Sequence, residues 1–118
     1  MDYTTEIVSA LTSELRRGTI VLCVLSQLDT PKYGYSLVQS LEEKQVRVDT
    51  GTLYPLLRRL EKQELLSSVW ETEGAKPRKY YERTKLGDQV FEELAGQWTG
   101  MAESMNQLLN GGDGNNNE

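Results

Sequence analysis

The chain has 118 residues, 37% of them hydrophobic, which suits one small domain and leaves little room for a second. With no histidine and one cysteine it has no Ser-His-Asp triad, no histidine-based or all-cysteine zinc site and no internal disulfide, so no enzyme, metal or cofactor is expected. The net charge of −5 is unevenly spread: residues 31–85 carry 11 Lys and Arg against 8 Asp and Glu, whereas residues 86–118 carry 6 acidic and no basic residues.

The first six residues are acidic and polar, without the basic-then-apolar order of a signal peptide. The longest apolar run, Ile20–Leu25, has six residues, far fewer than the roughly 20 that cross a bilayer. No membrane contact and a cytoplasmic location are expected, with Cys23 as a core thiol. Ile7, Leu11 and Leu15 recur every four residues, and the stretch after them is apolar on nearly all sides. This predicts one helix over about 5–28, capped by Thr4 or Thr5. Gly18 falls in its middle, where close packing of another backbone would explain it.

Thr30 as cap and Pro31 as first helical residue predict a second helix, with Leu37, Val38 and Leu41 on its inner stripe and its end at 42–45. Val46–Val48 is short, alternating and β-branched, which predicts a minor strand. A third helix runs from Asp49-Thr50 to about Gln63, because Leu53, Leu56, Leu57 and Leu60 follow the i, i+3, i+4, i+7 pattern. Its opposite face carries Gly51, Pro55, Arg58 and Lys62, flanked by Thr52, Tyr54 and Arg59.

Strands over about 65–73 and 78–83 follow, separated by the Gly74–Pro77 turn. They form a projecting basic hairpin with Lys76, Arg78 and Lys79. Thr84 caps a final helix over 85–109, about 37 Å long. Gly87, Phe91, Leu94, Trp98, Met101, Met105 and Leu108 alternate spacings of four and three, a heptad seam. A second copy of the chain about a two-fold axis is the simplest cover for it; the alternative is a helix folded back on its own domain. Residues 110–118, rich in Gly, Asn and Asp, are expected to be a disordered tail.

Helix, helix, helix, hairpin, helix is the order of a winged helix-turn-helix, a mainly α fold with a small β-hairpin. Residues 1–84 then form a DNA-binding domain and residues 85–109 a dimerisation helix. An α-helix fits the major groove, and its N-terminal side chains reach base edges. Here those are Thr50, Thr52 and Tyr54. Arg58 and Arg59 lie a turn later, within reach of phosphate or guanine. Lys76, Arg78 and Lys79 would follow the backbone or enter the minor groove. Taken singly, each is more readily a solvated surface charge. The set on one helix face and one hairpin points to double-stranded DNA.

Arg17-Gly18-Thr19, Tyr33-Gly34-Tyr35, the run from Gly51 to Lys62, Arg78-Lys79-Tyr80-Tyr81 and Thr84-Lys85-Leu86-Gly87 together resemble the PadR family of bacterial repressors. The resemblance covers about residues 7–109. It implies a winged-helix repressor with a C-terminal dimerisation helix, with Tyr35, Thr52, Tyr54 and the wing basics at the DNA; a homodimer on an inverted-repeat operator is the expectation that follows from two-fold pairing. Glu64 stands where the family usually has Gly, and Arg83 where it usually has an aliphatic residue. Trp98, eleven residues after Gly87, is similar to the tryptophan of the short, LmrR-like subfamily of multidrug-binding repressors. That likeness implies an aromatic small-molecule effector stacked at the dimer interface, with Leu11, Leu15, Leu94 and Ala95 lining its cavity. The plainer reading of Trp98 is a packing residue of the dimer seam, with Phe91, Leu94, Met101, Met105 and Leu108. A winged-helix module that binds another protein and not DNA is the alternative function.

Overall fold

In the computed structural model, which describes residues 2–111, Asp2 and neither Thr4 nor Thr5 starts the first helix. Its carboxylate accepts from the Thr5 backbone N–H at 2.8 Å and from the Thr5 hydroxyl at 3.0 Å. This helix, α1 (Tyr3–Arg17), stops at Gly18, and α2 (Ile20–Ser26) follows. The single helix expected over 5–28 is therefore two. The Thr19 backbone N–H and hydroxyl both donate to the Arg16 carbonyl, at 3.0 and 2.8 Å, and close the turn between them. Nothing lies within 4 Å of the place a Cβ on Gly18 would take, so no packed backbone accounts for this glycine. No residue of α1 is buried, whereas α2 buries Val24 and Leu25.

The chain then makes a short strand that the sequence reading did not expect, β1 (Lys32–Tyr33), before α3 (Gly34–Glu43). Tyr33 occupies the cap position of α3, and Thr30 and Pro31 lie outside it. The preference for helix after Pro31 is overridden by a distant partner: Lys32 pairs with Tyr81 and Tyr33 with Tyr80. After α3, Gln45 takes a left-handed φ of 68° and turns the chain. No strand forms at 46–48. The Val46 N–H donates to the Leu41 carbonyl at 2.9 Å, and Val48 is buried in the core.

Asp49 caps α4 (Thr50–Lys62) by accepting from the Thr52 N–H at 2.7 Å. The expected leucine stripe is the buried one: Leu53, Leu57 and Leu60 are enclosed and Leu56 partly so. Strands β2 (Leu66–Glu71) and β3 (Arg78–Arg83) form the hairpin, and the antiparallel sheet has the order β1-β3-β2. Thr84 caps α5 (Lys85–Asn106), accepting from the Gly87 N–H at 2.9 Å. A Cβ on Gly87 would stand on the Leu65 carbonyl oxygen, so this glycine lets α5 leave close to the base of the wing. A π-helical turn, Gln107–Gly111, extends α5. Asn110 and Gly111, the first two residues of the expected tail, belong to that turn; residues 112–118 lie outside the described residues.

One apolar cluster joins α2, α3, α4 and the wing through Val24, Leu25, Leu28, Leu37, Leu53, Leu57, Leu60, Leu66 and Tyr81. Each enclosed leucine stabilises the fold by about 1.5–3 kcal/mol relative to exposure. Among the described residues no helix is long and apolar enough to cross a membrane, and no group of three acidic or cysteine side chains is placed to hold a metal ion.

Candidate nucleic-acid interface and the open helix faces

Because α4 turns its leucines into the core, Thr52, Arg58 and Arg59 are left exposed on the side away from it, and Thr50 is exposed in its first turn. Among the described residues neither Arg58 nor Arg59 forms an ion pair. Tyr54 is 38% exposed, and its ring rests on the backbone of Gly34, where a Cβ would collide with the ring edge and the hydroxyl. A glycine at the first turn of α3 thus allows α3 and α4 to approach. Tyr35, next to it, is exposed.

The three wing cations do not form one loop cluster. Lys76 lies exposed in the bend, but Arg78 and Lys79 are in β3, where successive side chains leave opposite faces of the sheet. Arg78 stacks its guanidinium 4.6 Å from the Tyr33 ring centroid, and Tyr33 meets Tyr80 edge-on at 5.3 Å. Lys79 is half-buried on the other face, with Nζ 3.4 Å from Glu61 Oε1 of α4 and near the rings of Trp70 and Tyr81. Glu61 Oε2 also accepts from the Ser68 hydroxyl at 2.5 Å. Glu61 therefore fastens the wing to α4. Nothing local marks this role, since its partners lie seven and eighteen residues away.

Along α5, Phe91, Leu94 and Ala95 are half-buried against their own domain, while Trp98 (47%), Met101, Met105 and Leu108 (78%) are open to solvent. On α1, Leu11 and Leu15 are open as well. One copy of the chain leaves both rows uncovered. The residue that departs from the family pattern, Arg83, ties α5 down: Nη1 donates to the Leu25 carbonyl at 2.6 Å, Nε meets Asp88 Oδ1 at 2.7 Å, and the guanidinium lies 4.4 Å from the Phe91 ring centroid. Arg16, Arg17 and Arg47, to which the sequence assigned no contact with DNA, share a cleft with Thr52 at the start of α4.

A family model for the PadR-like transcriptional regulators matches residues 21–93. The chain belongs to the PadR-like family. A crystal structure of a PadR family regulator from Eggerthella lenta is 48% identical, covers 91% of this chain and 96% of its own, and superposes with a TM-score of 0.85. A PadR-like transcription factor from Bacteroides fragilis is 37% identical over 84% of this chain and 98% of its own, with a TM-score of 0.69. A transcriptional regulator of Mycobacterium tuberculosis is 35% identical over 81 residues, which are 68% of this chain and 76% of that protein. The PadR-like family consists of DNA-binding transcriptional regulators of the repressor kind and not of enzymes. The winged helix-turn-helix with a long C-terminal helix, expected from the order of elements, is the fold of this PadR-like chain.

Proposed function

We propose that this PadR-like regulator is a cytoplasmic homodimer that binds an inverted-repeat operator through two winged helices and adjusts its affinity to a planar aromatic ligand held between the two copies. The observation that carries the DNA reading is the two-sidedness of α4. Burying Leu53, Leu57 and Leu60 leaves Thr52, Arg58 and Arg59 exposed on the far face, with Thr50 exposed in the first turn and Tyr35 and Tyr54 exposed as well. In this reading α4 is the recognition helix, its first turn meets base edges, and its arginines meet phosphate or guanine. Lys76 and Arg78 reach the flanking backbone. Lys79 acts mainly by holding the wing.

The uncovered rows on α1 and α5 support the dimer, because apolar side chains in such number on one small chain call for a partner surface. A two-fold pair reads half-sites about 34–36 Å apart. Residues up to 84 form the DNA-binding unit and residues 85–109 the pairing helix. Two Trp98 indoles brought together offer flat π-surfaces, with Leu11, Leu15, Leu94 and Ala95 as candidate walls. Lys85 is the only basic residue of α5, which also carries Asp88, Glu92, Glu93 and Glu103, so a cationic ring is favoured over an anionic one. The ligand shifts operator affinity only by preferring one spacing of the recognition helices.

Sedimentation equilibrium checks the dimer. The parent should have twice the chain mass, and Met105→Asp, which puts a charge in the seam, should be monomeric; a monomeric parent overturns the reading. Dye titration checks the ligand site. Trp70 is itself exposed, so Trp70→Phe isolates Trp98 as the only indole. Saturable quenching by a planar cationic dye in that variant, with dye affinity lost in Trp98→Phe, supports the site. Unaltered fluorescence reduces Trp98 to a packing residue.

A further inference from the structure

We propose that the cleft formed by Arg16, Arg17 and Arg47 is a second phosphate-binding site of the DNA interface, gripping the duplex backbone beside the groove that α4 enters. It rests on the DNA-binding reading above and adds residues that lie on neither the recognition helix nor the wing.

The cleft has a volume of about 380 Å³, and its polar lining includes Arg16, Arg17, Thr19, Arg47, Asp49 and Thr52. Three separate backbone events bring these together. The break at Gly18–Thr19 ends α1 on its two arginines. The left-handed Gln45 and the Val46-to-Leu41 hydrogen bond reverse the chain so that Arg47 arrives next to them. The Asp49 cap then starts α4 with Thr52 at the cleft wall.

Charge decides the class of ligand. Three arginines line the cleft, and none of them is buried. The one carboxylate in the lining, Asp49, already accepts from the Thr52 N–H at 2.7 Å. Arg47 approaches Glu42 only at 4.0 Å, with both side chains more than half exposed, and a pair of that kind contributes little. A guanidinium fork matches phosphate in shape and charge. In a chain of net charge −5, this local concentration of cations is an attractor for polyanion at one end of the recognition helix. Thr52 belongs both to the cleft and to the exposed face of α4. A phosphodiester in the cleft is therefore contiguous with a duplex lying on α4.

Phosphate contacts are independent of sequence, so a mixed-sequence duplex labelled with fluorescein is a sufficient probe. Anisotropy titrations between about 50 and 200 mM salt give the slope of log affinity against log salt. Each lost phosphate contact should flatten that slope by about 0.9. In a dimer that engages the duplex through both copies, Arg47→Gln removes two contacts and should flatten it by about 1.8, Arg47→Lys should retain it, and Arg16→Gln/Arg17→Gln/Arg47→Gln should flatten it by about 5. An unchanged slope in the folded triple variant overturns the proposal while leaving the recognition-helix reading intact. An unchanged slope together with thermal stabilisation of the parent alone by inorganic phosphate also overturns it, because the cleft then takes a free anion. A parent that shows no salt-dependent binding overturns the DNA reading and this site with it.

Discussion

The ring of Tyr54 occupies the space in which a side chain on Gly34 would begin. Two residues twenty positions apart thereby fix the distance between α3 and α4. Gly34→Ala should cost about 1–3 kcal/mol through overpacking, read as a lower urea midpoint with an unchanged slope. Adding Tyr54→Leu should recover part of that loss, since the collision is with the ring and the hydroxyl. Additive losses in the double variant would show that the contact is not the cause.

Glu64 has a φ of 67°, the left-handed region that favours glycine. Its carbonyl accepts from the Thr84 hydroxyl at 2.7 Å, which holds the turn between α4 and the wing in this shape. Glu64→Gly should therefore raise stability by about 0.5–1 kcal/mol, the relief of strain outweighing the freedom gained by the unfolded chain. Glu64→Ala keeps the strain and should give no such gain. Thermal unfolding of both variants separates backbone geometry from side-chain charge.

Arg83→Leu restores the residue class usual in the family yet should destabilise this chain by about 1–3 kcal/mol. The side chain is only 12% exposed and donates to the Leu25 carbonyl at the end of α2. Asp88, the other partner, is 57% exposed, so Asp88→Asn should cost no more than about 1 kcal/mol. Chemical denaturation of the two variants ranks the partners. Equal losses would make the carboxylate, and not the buried carbonyl, the main anchor.

The Asp2 carboxylate is held below its ordinary value of 3.8, first by the Thr5 backbone N–H and then by the Thr5 hydroxyl. A lowered acid contributes its stability above the ordinary value and loses it as the pH falls through the lowered one. The first turn of α1 should therefore fray in strong acid and not between pH 5 and 8. Hydrogen exchange at the Thr5 amide measures this, and Asp2→Asn should remove the pH dependence.

Elements whose determinants are local were legible in the sequence. α4 combines a leucine stripe with an Asp49 cap, and α5 combines Thr84 with a long periodic row, so type and extent followed from pattern alone. The hairpin was legible from its aromatic strands and the Gly-Pro turn. What was not legible depends on distant partners. β1 exists because Tyr80 and Tyr81 are there to pair with it, and Val46–Val48 stays out of the sheet because the α3 end and the core take its donor and its side chain. The same holds at the interface: the face of α4 followed from periodicity, but Lys79 was drawn aside by Glu61, and the arginine cleft depends on a helix break that Ile7-to-Leu28 periodicity concealed.

α1 has fifteen residues and buries none of them. Isolated helices shorter than about 12–15 residues are marginal in water, so α1 owes its order to whatever covers Leu11 and Leu15. In the proposed dimer, subunit pairing and the folding of the N-terminal segment are then one equilibrium. Dilution of that dimer should separate the copies and at the same time melt α1, which would make helix content, and with it exposure of this segment to proteases, a function of how much of the regulator a cell contains.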